Sequence, residues 1–362
     1  MQYPDYAYIH IPFCNSKCSY CAFTSTCNTN LLSDYLTSLV KEIDTNYKNN
    51  TLSTLYFGGG TPSILNAEEV KNIINRFKLT NNSEITFEVN PEHADERYFR
   101  NLIDIGVNRI SIGIQTLNDN ILKQIGRKHS AQEAINCIKI AKKSGFKNVS
   151  VDLIYGLPNQ TIKIFKQDLN TIKKCDIQHI SLYGLKIEEN SIFGKKIPEN
   201  LPDDDTQADM YLEAVKTLDK FFHYEISNFA LSDKYFSKHN ISYWKNKEYY
   251  GFGCSAHGYE NGVRYANTSD LHEYIQNPLT HKFEHTETTD EKLQEEIFLG
   301  LRLSDGINVK SINNKYKINL YAKYKNVIDK YVQSGHMQTT ADGYKLSAKG
   351  FLVSTIILAD FI

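Results

Sequence analysis

The stretch Cys14-Asn15-Ser16-Lys17-Cys18-Ser19-Tyr20-Cys21 places three thiols in seven intervals, with Phe23 where another ligand would stand. Tetrahedral metal sites take four ligands. Three cysteines spaced C-x3-C-x2-C on a loop after a strand suit zinc or an iron–sulfur cluster, but a zinc finger pairs its thiols with a distant second pair. No second C-x2-C exists, and Cys27, Cys137, Cys175 and Cys254 are isolated. Cys27 fits no cluster spacing and reads as an ordinary cysteine. A four-iron cluster held by three thiolates leaves one iron open, and an open iron binds a small chelating molecule.

The 362 residues allow roughly two domains at ~150 residues each, or one large one. The net charge is −1, from 41 basic and 42 acidic residues. That balance argues against a general nucleic-acid binder, and no nucleic-acid partner is expected. The opening MQYPDYAYIHIPF reads as no signal peptide. No run reaches the ~20 apolar residues of a membrane span, so any membrane association is expected to be peripheral. The longest apolar run, Phe351 to Ile362, carries Asp360 and reads as a helix packed against the body. Seven cysteines, three of them bunched, fit a reducing cytoplasm, where clustered thiols bind metal or do chemistry.

Strands are expected at Tyr6–Ile11, Leu52–Phe57, Glu84–Val89, Asn108–Ile114, Val149–Tyr155 and His179–Tyr183, with helical patterns between them. Asn66 with Glu69, and Ser130 with Glu133, read as capping boxes. Six βα repeats imply a parallel sheet with right-handed crossovers, and six are too few for a closed eight-stranded barrel. The expected fold is a partial (β/α)6 barrel over residues 1–195. A connecting region follows over 196–285, and a mostly helical, winged-helix-like module with a hairpin near Met337–Leu346 over 286–362.

In such folds function gathers at the carboxyl ends of the strands. Polar residues collect there: the cysteines after strand one, Gly58-Gly59-Gly60-Thr61-Pro62 after strand two, Glu88, Gln115, and Asp152 ahead of Gly156-Leu157-Pro158. The glycines let a ligand approach the backbone closely. Glu88 suits ribose hydroxyls, and Arg127 suits a carboxylate. Singly, each reads as a turn, a helix cap or a solvated side chain; together they read as a site.

With Tyr20 ahead of the last cysteine, the motif resembles the signature of radical S-adenosylmethionine (radical SAM) enzymes. The resemblance implies that the methionine part of SAM fills the fourth iron of a [4Fe-4S] cluster, whose electron then breaks a C–S bond of SAM. YIHIPFC, GGGTP, EVNPE, IGIQT, GRKHS and DLIYGLP further resemble one branch over roughly residues 5 to 362. That branch contains the oxygen-independent coproporphyrinogen III oxidases of porphyrin biosynthesis and the related haem chaperones called HemW. It implies that Cys14, Cys18 and Cys21 hold the cluster and that Tyr8, Gly59 and Glu88 contact the nearer SAM. Tyr20, Gly60, Thr61, Gln115, Arg127 and Asp152 match residues that bind a second SAM in the oxidase.

The oxidases extend the motif by C-x-C, where this chain has Phe23, and carry a longer segment ahead of the cluster. Lys238-His239-Asn240-Ile241-Ser242-Tyr243-Trp244 resembles the HNxxYW motif of the chaperones. A neutral His239 would ligate haem iron, and Tyr243 and Trp244 would offer flat faces to a porphyrin. Cys254 and His257 are candidates to line the cleft. The expected function is a haem chaperone that delivers haem to acceptor haem proteins, with an electron donor protein serving the cluster. The alternative is an oxidase that abstracts hydrogen from a porphyrinogen propionate and releases carbon dioxide. A DNA-binding regulator using the lysine-rich terminal module (Lys310 to Lys330) is the third reading, and near-neutral charge disfavours it.

Overall fold

The computed structural model describes residues 3–93 and 95–362. Strands β1 (Tyr6–Ile11), β2 (Thr51–Gly59), β3 (Lys78–Val89), β4 (Arg109–Gln115), β5 (Val149–Tyr155) and β6 (His179–Gly184) lie side by side, all parallel, in chain order. Helices α1 (Leu32–Asn46), α2 (Ala67–Ile74), α3 (Glu96–Asp104), α4 (Asp119–Gln124), α5 (Ala131–Ser144) and α6 (Ile162–Lys173) fill the crossovers. Short strands extend both edges. β7 (Phe222–Glu225) and β8 (Asn228–Ala230) add antiparallel beyond β6, and β9 (Tyr250–Phe252) adds parallel beyond β1. The sheet stays open, in the order β7-β8-β6-β5-β4-β3-β2-β1-β9. It is the partial barrel that six repeats imply.

Both capping boxes form. Asn66 accepts from the amide of Glu69, whose side chain accepts from the Asn66 amide, and Ser130 pairs with Glu133 in the same way. The period-two alternation of the strands divides the sheet. Ala7, Ile9 and Ile11, Leu55 and Phe57, Ile110, Ile112 and Ile114, and Val149, Val151 and Leu153 are fully buried in one apolar cluster. That cluster includes Tyr35, Leu39 and Ile43 of α1 and Ala134, Ile138 and Ala141 of α5. The alternate positions are polar, and they face one another across the inside of the curved sheet.

Beyond the barrel run α7 (Ile192–Lys195), α8 (Asp204–Thr217) and α9 (Lys238–Trp244). The C-terminal region has its own apolar cluster, including Leu293, Ile297, Ile312, Ile328, Met337 and Phe351. Its hairpin pairs Met337–Thr339 with Gly343–Leu346, and Ile307–Asn308 adds a third strand. The chain end is not one helix. Ala348–Leu352 and Ser354–Ala359 are separate helices, because Val353 leaves helical geometry at φ −112°, ψ 22°. Among the described residues no helix is long and apolar enough to cross a membrane.

Glu42 of α1 ties the barrel to the segment after β9. It is 1% exposed. It accepts from the Gly253 amide (2.8 Å), Asn267 Nδ2 (2.7 Å) and Tyr274 Oη. Burial pushes its carboxyl up to about 7, against the pull of those three donors. A carboxyl raised on folding holds a proton that the unfolded chain has already lost between about pH 4.5 and 7. Its contribution is therefore present at low pH and is lost as pH rises through 7. Wild-type unfolding free energy is expected to fall between pH 5 and 8, and Glu42→Gln is expected to flatten that slope. Parallel slopes in urea titrations of the two proteins would contradict this.

Candidate functional site

A cavity of about 550 Å³ opens at the carboxyl edge of the sheet and runs down its polar inner face. Its upper end is the loop after β1. Cys14, Cys18 and Cys21 all line it, with Tyr20 beside them. The loop is pinned at four points: the Cys14 amide donates to the Thr26 carbonyl, the Thr26 amide to the Pro12 carbonyl, the Ser19 amide to the Ile125 carbonyl, and the Phe193 amide to the Ser19 carbonyl. Lys17 Nζ holds the far side through the Phe23 carbonyl (2.8 Å) and Ser25 Oγ (2.9 Å).

Two thiols receive hydrogen bonds from the neighbouring strand ends. Thr61 Oγ1 donates to Cys14 Sγ at 3.3 Å, and Arg127 Nη1 approaches Cys18 Sγ at 3.8 Å. Asn90 joins the two donors. Its Nδ2 donates to Thr61 Oγ1 (3.2 Å), and its Oδ1 accepts from Arg127 Nη2 (2.9 Å). Burial pushes the Cys14 and Cys21 thiols up. A metal that takes them as thiolates displaces their protons. Among the described residues, no three His, Cys, Asp or Glu side chains converge on the position of a single ion. Three separate thiols on one cavity wall, two of them with donors in place, fit a wider iron–sulfur cluster better than tetrahedral zinc.

Gly60 shows how close the next turn comes. A Cβ there would stand 2.7 Å from the Phe13 carbonyl oxygen and 2.8 Å from that of Ile11. Only a glycine lets the β2 end lie against the cysteine loop. Gln115 takes φ 69° at a bulge between β4 and β5, left-handed backbone that non-glycine residues seldom adopt.

Deeper in the cavity, Tyr56 Oη donates to Glu88 Oε1 (2.7 Å) and Ser111 Oγ to Asp152 Oδ1 (2.9 Å). Burial, then the neighbouring Asp152, push the Glu88 carboxyl up to about 7. Burial also raises Asp152. Arg109, 2% exposed, lines the cavity too, and its guanidinium lies 3.3 Å from His179 Nδ1.

The structure therefore gathers Tyr20, Gly59, Gly60, Thr61, Glu88, Gln115, Arg127 and Asp152 around one cavity with the three cysteines. Tyr8 does not reach it. Its hydroxyl bonds to His10 Nδ1 at 3.1 Å, and its ring lies beside Tyr56. Arg109, Ser111 and Tyr56 also belong to the site, and the polar row of alternate positions on their strands is the signal that finds them; Asn90, just past β3, joins through Thr61 and Arg127.

The HNxxYW segment departs from its expected presentation. It forms α9, whose Asn240 lines the cavity while His239 does not. His239 is 1% exposed. Its Nδ1 bonds to Thr54 Oγ1 and its Nε2 to Tyr243 Oη, both at 2.7 Å. Burial and then Arg109 lower its pKa to about 3, so it is neutral, but neither nitrogen is free for a metal. The Tyr243 ring stands edge-on between His239 and Tyr249, and the Arg302 guanidinium covers Trp244 at 4.6 Å. Both rings are therefore already engaged by side chains of this chain. Cys254 is buried with its thiol on the Thr268 carbonyl, and His257 is exposed outside the cavity. Neither lines the cleft, because the strand pairing of β9 turns that segment toward α1.

Thiols over a polar hollow at the carboxyl edge of an open parallel sheet define a cofactor-binding α/β protein. Residues 8–172 match the family model of the radical SAM superfamily, and 288–353 match the HemN C-terminal domain. The Heme chaperone HemW of Lactococcus lactis subsp. lactis is 36% identical over 374 aligned positions, covering 100% of this chain and 98% of the relative. That of Bacillus subtilis is 34% identical, covering 98% of each. Coproporphyrinogen III oxidase (HemN) from Escherichia coli, a radical SAM enzyme, superposes with a TM-score of 0.88 over 99% of this chain and 90% of the other. At 22% identity that likeness speaks for the fold. The chain belongs to the radical SAM superfamily, in the family of the haem chaperones named HemW.

Proposed function

We propose that this protein is a radical SAM haem chaperone of the cytoplasm. It carries a [4Fe-4S] cluster on Cys14, Cys18 and Cys21, binds SAM in the cavity beneath, and passes haem to acceptor haem proteins. The observation that carries the reading is the three-thiol loop pinned over one cavity that already holds the polar ring. Full-length likeness to proteins named haem chaperones supports the haem part.

A cluster held by Cys14, Cys18 and Cys21 would supply a single electron, received from a donor protein, and a point of attachment for SAM. The chain's own residues do the rest. The Gly59–Gly60 backbone admits the methionine part against the loop. Glu88, held by Tyr56, accepts from ribose hydroxyls as the carboxylate. Gln115, Arg127 and Asp152 supply further polar partners, enough for a carboxylate-bearing second ligand. Thr61 and Arg127, which donate to the Cys14 and Cys18 sulfurs, would steady them as thiolates. Phe23, where the oxidases have a cysteine, is 68% exposed at the mouth and gives no further ligand. His239 serves as a haem ligand once its Nε2 leaves the Tyr243 hydroxyl, so haem binding is coupled to release of that contact within α9.

Anaerobically reconstituted protein should bind haem stoichiometrically, and His239→Ala should bind it more weakly. Coproporphyrinogen with SAM and reductant should yield no protoporphyrinogen. Decarboxylated product at appreciable turnover would establish the oxidase instead.

A further inference from the structure

A second cavity, of about 430 Å³, lies at the opposite end of the barrel, under the amino ends of β1, β2 and β3. The outer face of α9 forms one wall: Lys238, Ile241, Ser242 and Lys245 recur at helical spacing, and Lys247 follows. Tyr6 and Phe236 bring aromatic rings to it, and Asp233 is the one acid among its lining residues. Lys245 and Lys247 make no ion pair or side-chain hydrogen bond with described residues. Lys238 Nζ reaches the Asn82 carbonyl at 3.2 Å. Three ammonium groups against one carboxylate leave a net positive hollow with aromatic walls. The larger cavity is balanced, with four cationic and four acidic side chains.

We propose that this hollow is a binding site for the carboxylate edge of a flat, apolar dicarboxylate of the porphyrin class. Lys245 and Lys247 meet the carboxylates, and Tyr6, Phe236 and Ile241 lie against the ring. This rests on the haem-chaperone reading and gives haem its place. Charge-assisted bonds to two carboxylates suit the two lysines of the turn that ends α9, both of which line the hollow. Aromatic and aliphatic side chains cover the apolar ring. His239 sits on another face of α9, against Thr54 and Tyr243, so a porphyrin seated here is held by its carboxylate edge, and the upper cavity stays free for SAM.

The test titrates haem, metal-free protoporphyrin and its dimethyl ester into the full-length protein. The same titrations are repeated with Lys245→Glu/Lys247→Glu and with Lys195→Glu/Lys196→Glu, two and three residues past Phe193, whose amide bonds the cysteine loop. All four lysines are on the surface, and thermal melts confirm that each variant folds. Wild type should bind haem and protoporphyrin, with the ester at least tenfold weaker. The Lys245/Lys247 reversal should weaken protoporphyrin at least tenfold, and the Lys195/Lys196 reversal less than twofold. Equal binding of acid and ester, or a Lys245/Lys247 effect below twofold, would overturn the site while leaving the chaperone reading intact. Failure of wild type to bind haem or protoporphyrin would overturn both.

Discussion

Cys18→Ala protein, reconstituted without oxygen, is expected to hold essentially no iron or sulfide and to lose SAM binding along with the cluster. Cys18 lines the centre of the thiol loop, and Arg127 donates toward it. With one of three thiolates gone, two ligands cannot keep a cluster against solvent. The Arg127 guanidinium then loses its sulfur partner and keeps only Asn90 and the Gly113 carbonyl. Cys27→Ala serves as the internal comparison: Cys27 is exposed and outside the cavity, so its loss should leave iron content unchanged. The wild-type iron content surviving in Cys18→Ala would remove Cys18 from the ligand set.

Arg109→Met is expected to cost about 3–5 kcal/mol of folding stability, the range for breaking a buried charge constellation by deleting one member. Arg109 heads the fully buried side chains of the described residues by size, and it lies among Glu84, Asp152, Tyr56 and Tyr224. Burial raises both carboxyls while Arg109 holds them down. Methionine fills similar volume but leaves them without their cation, so they fold best protonated. The deficit should therefore be larger at pH 8 than at pH 5. Urea unfolding at the two pH values measures it. A loss below about 1 kcal/mol, or one independent of pH, would mean that the carboxylates are compensated elsewhere.

Half of each strand was plain in the sequence. Val149-x-Val151-x-Leu153 and Ile110-x-Ile112-x-Ile114 announce a face that must be covered, and it is. The other half is also printed there: Glu84-x-Thr86-x-Glu88, Arg109-x-Ser111-x-Gly113-x-Gln115, His179-x-Ser181. Strand-end reasoning reached Glu88, Gln115 and Asp152. It stopped short of Arg109 and Ser111, because alternation says which residues share a face but not that the face curls around a hollow. Asn90 escaped for a related reason: its role exists only once Thr61 and Arg127 flank it.

The HNxxYW segment shows where local reading ends. Its residue types suit haem, but their presentation depends on partners far along the chain. Thr54, 185 residues away, takes one nitrogen of His239, and Arg302 caps Trp244. A sequence motif does not disclose that it is latched. Lys238, Lys245 and Lys247, on the other side of α9 and just past its end, were equally silent until β1–β3 closed a cavity against them.

On the proposed reading, three cysteines leave one iron of a cluster to be completed by SAM. Electron paramagnetic resonance of the reduced, oxygen-free protein, recorded with and without SAM, tests it most directly. A reduced four-iron signal that changes when SAM is added is the expected result. A signal indifferent to SAM, or a loop that holds zinc and no iron, would contradict it.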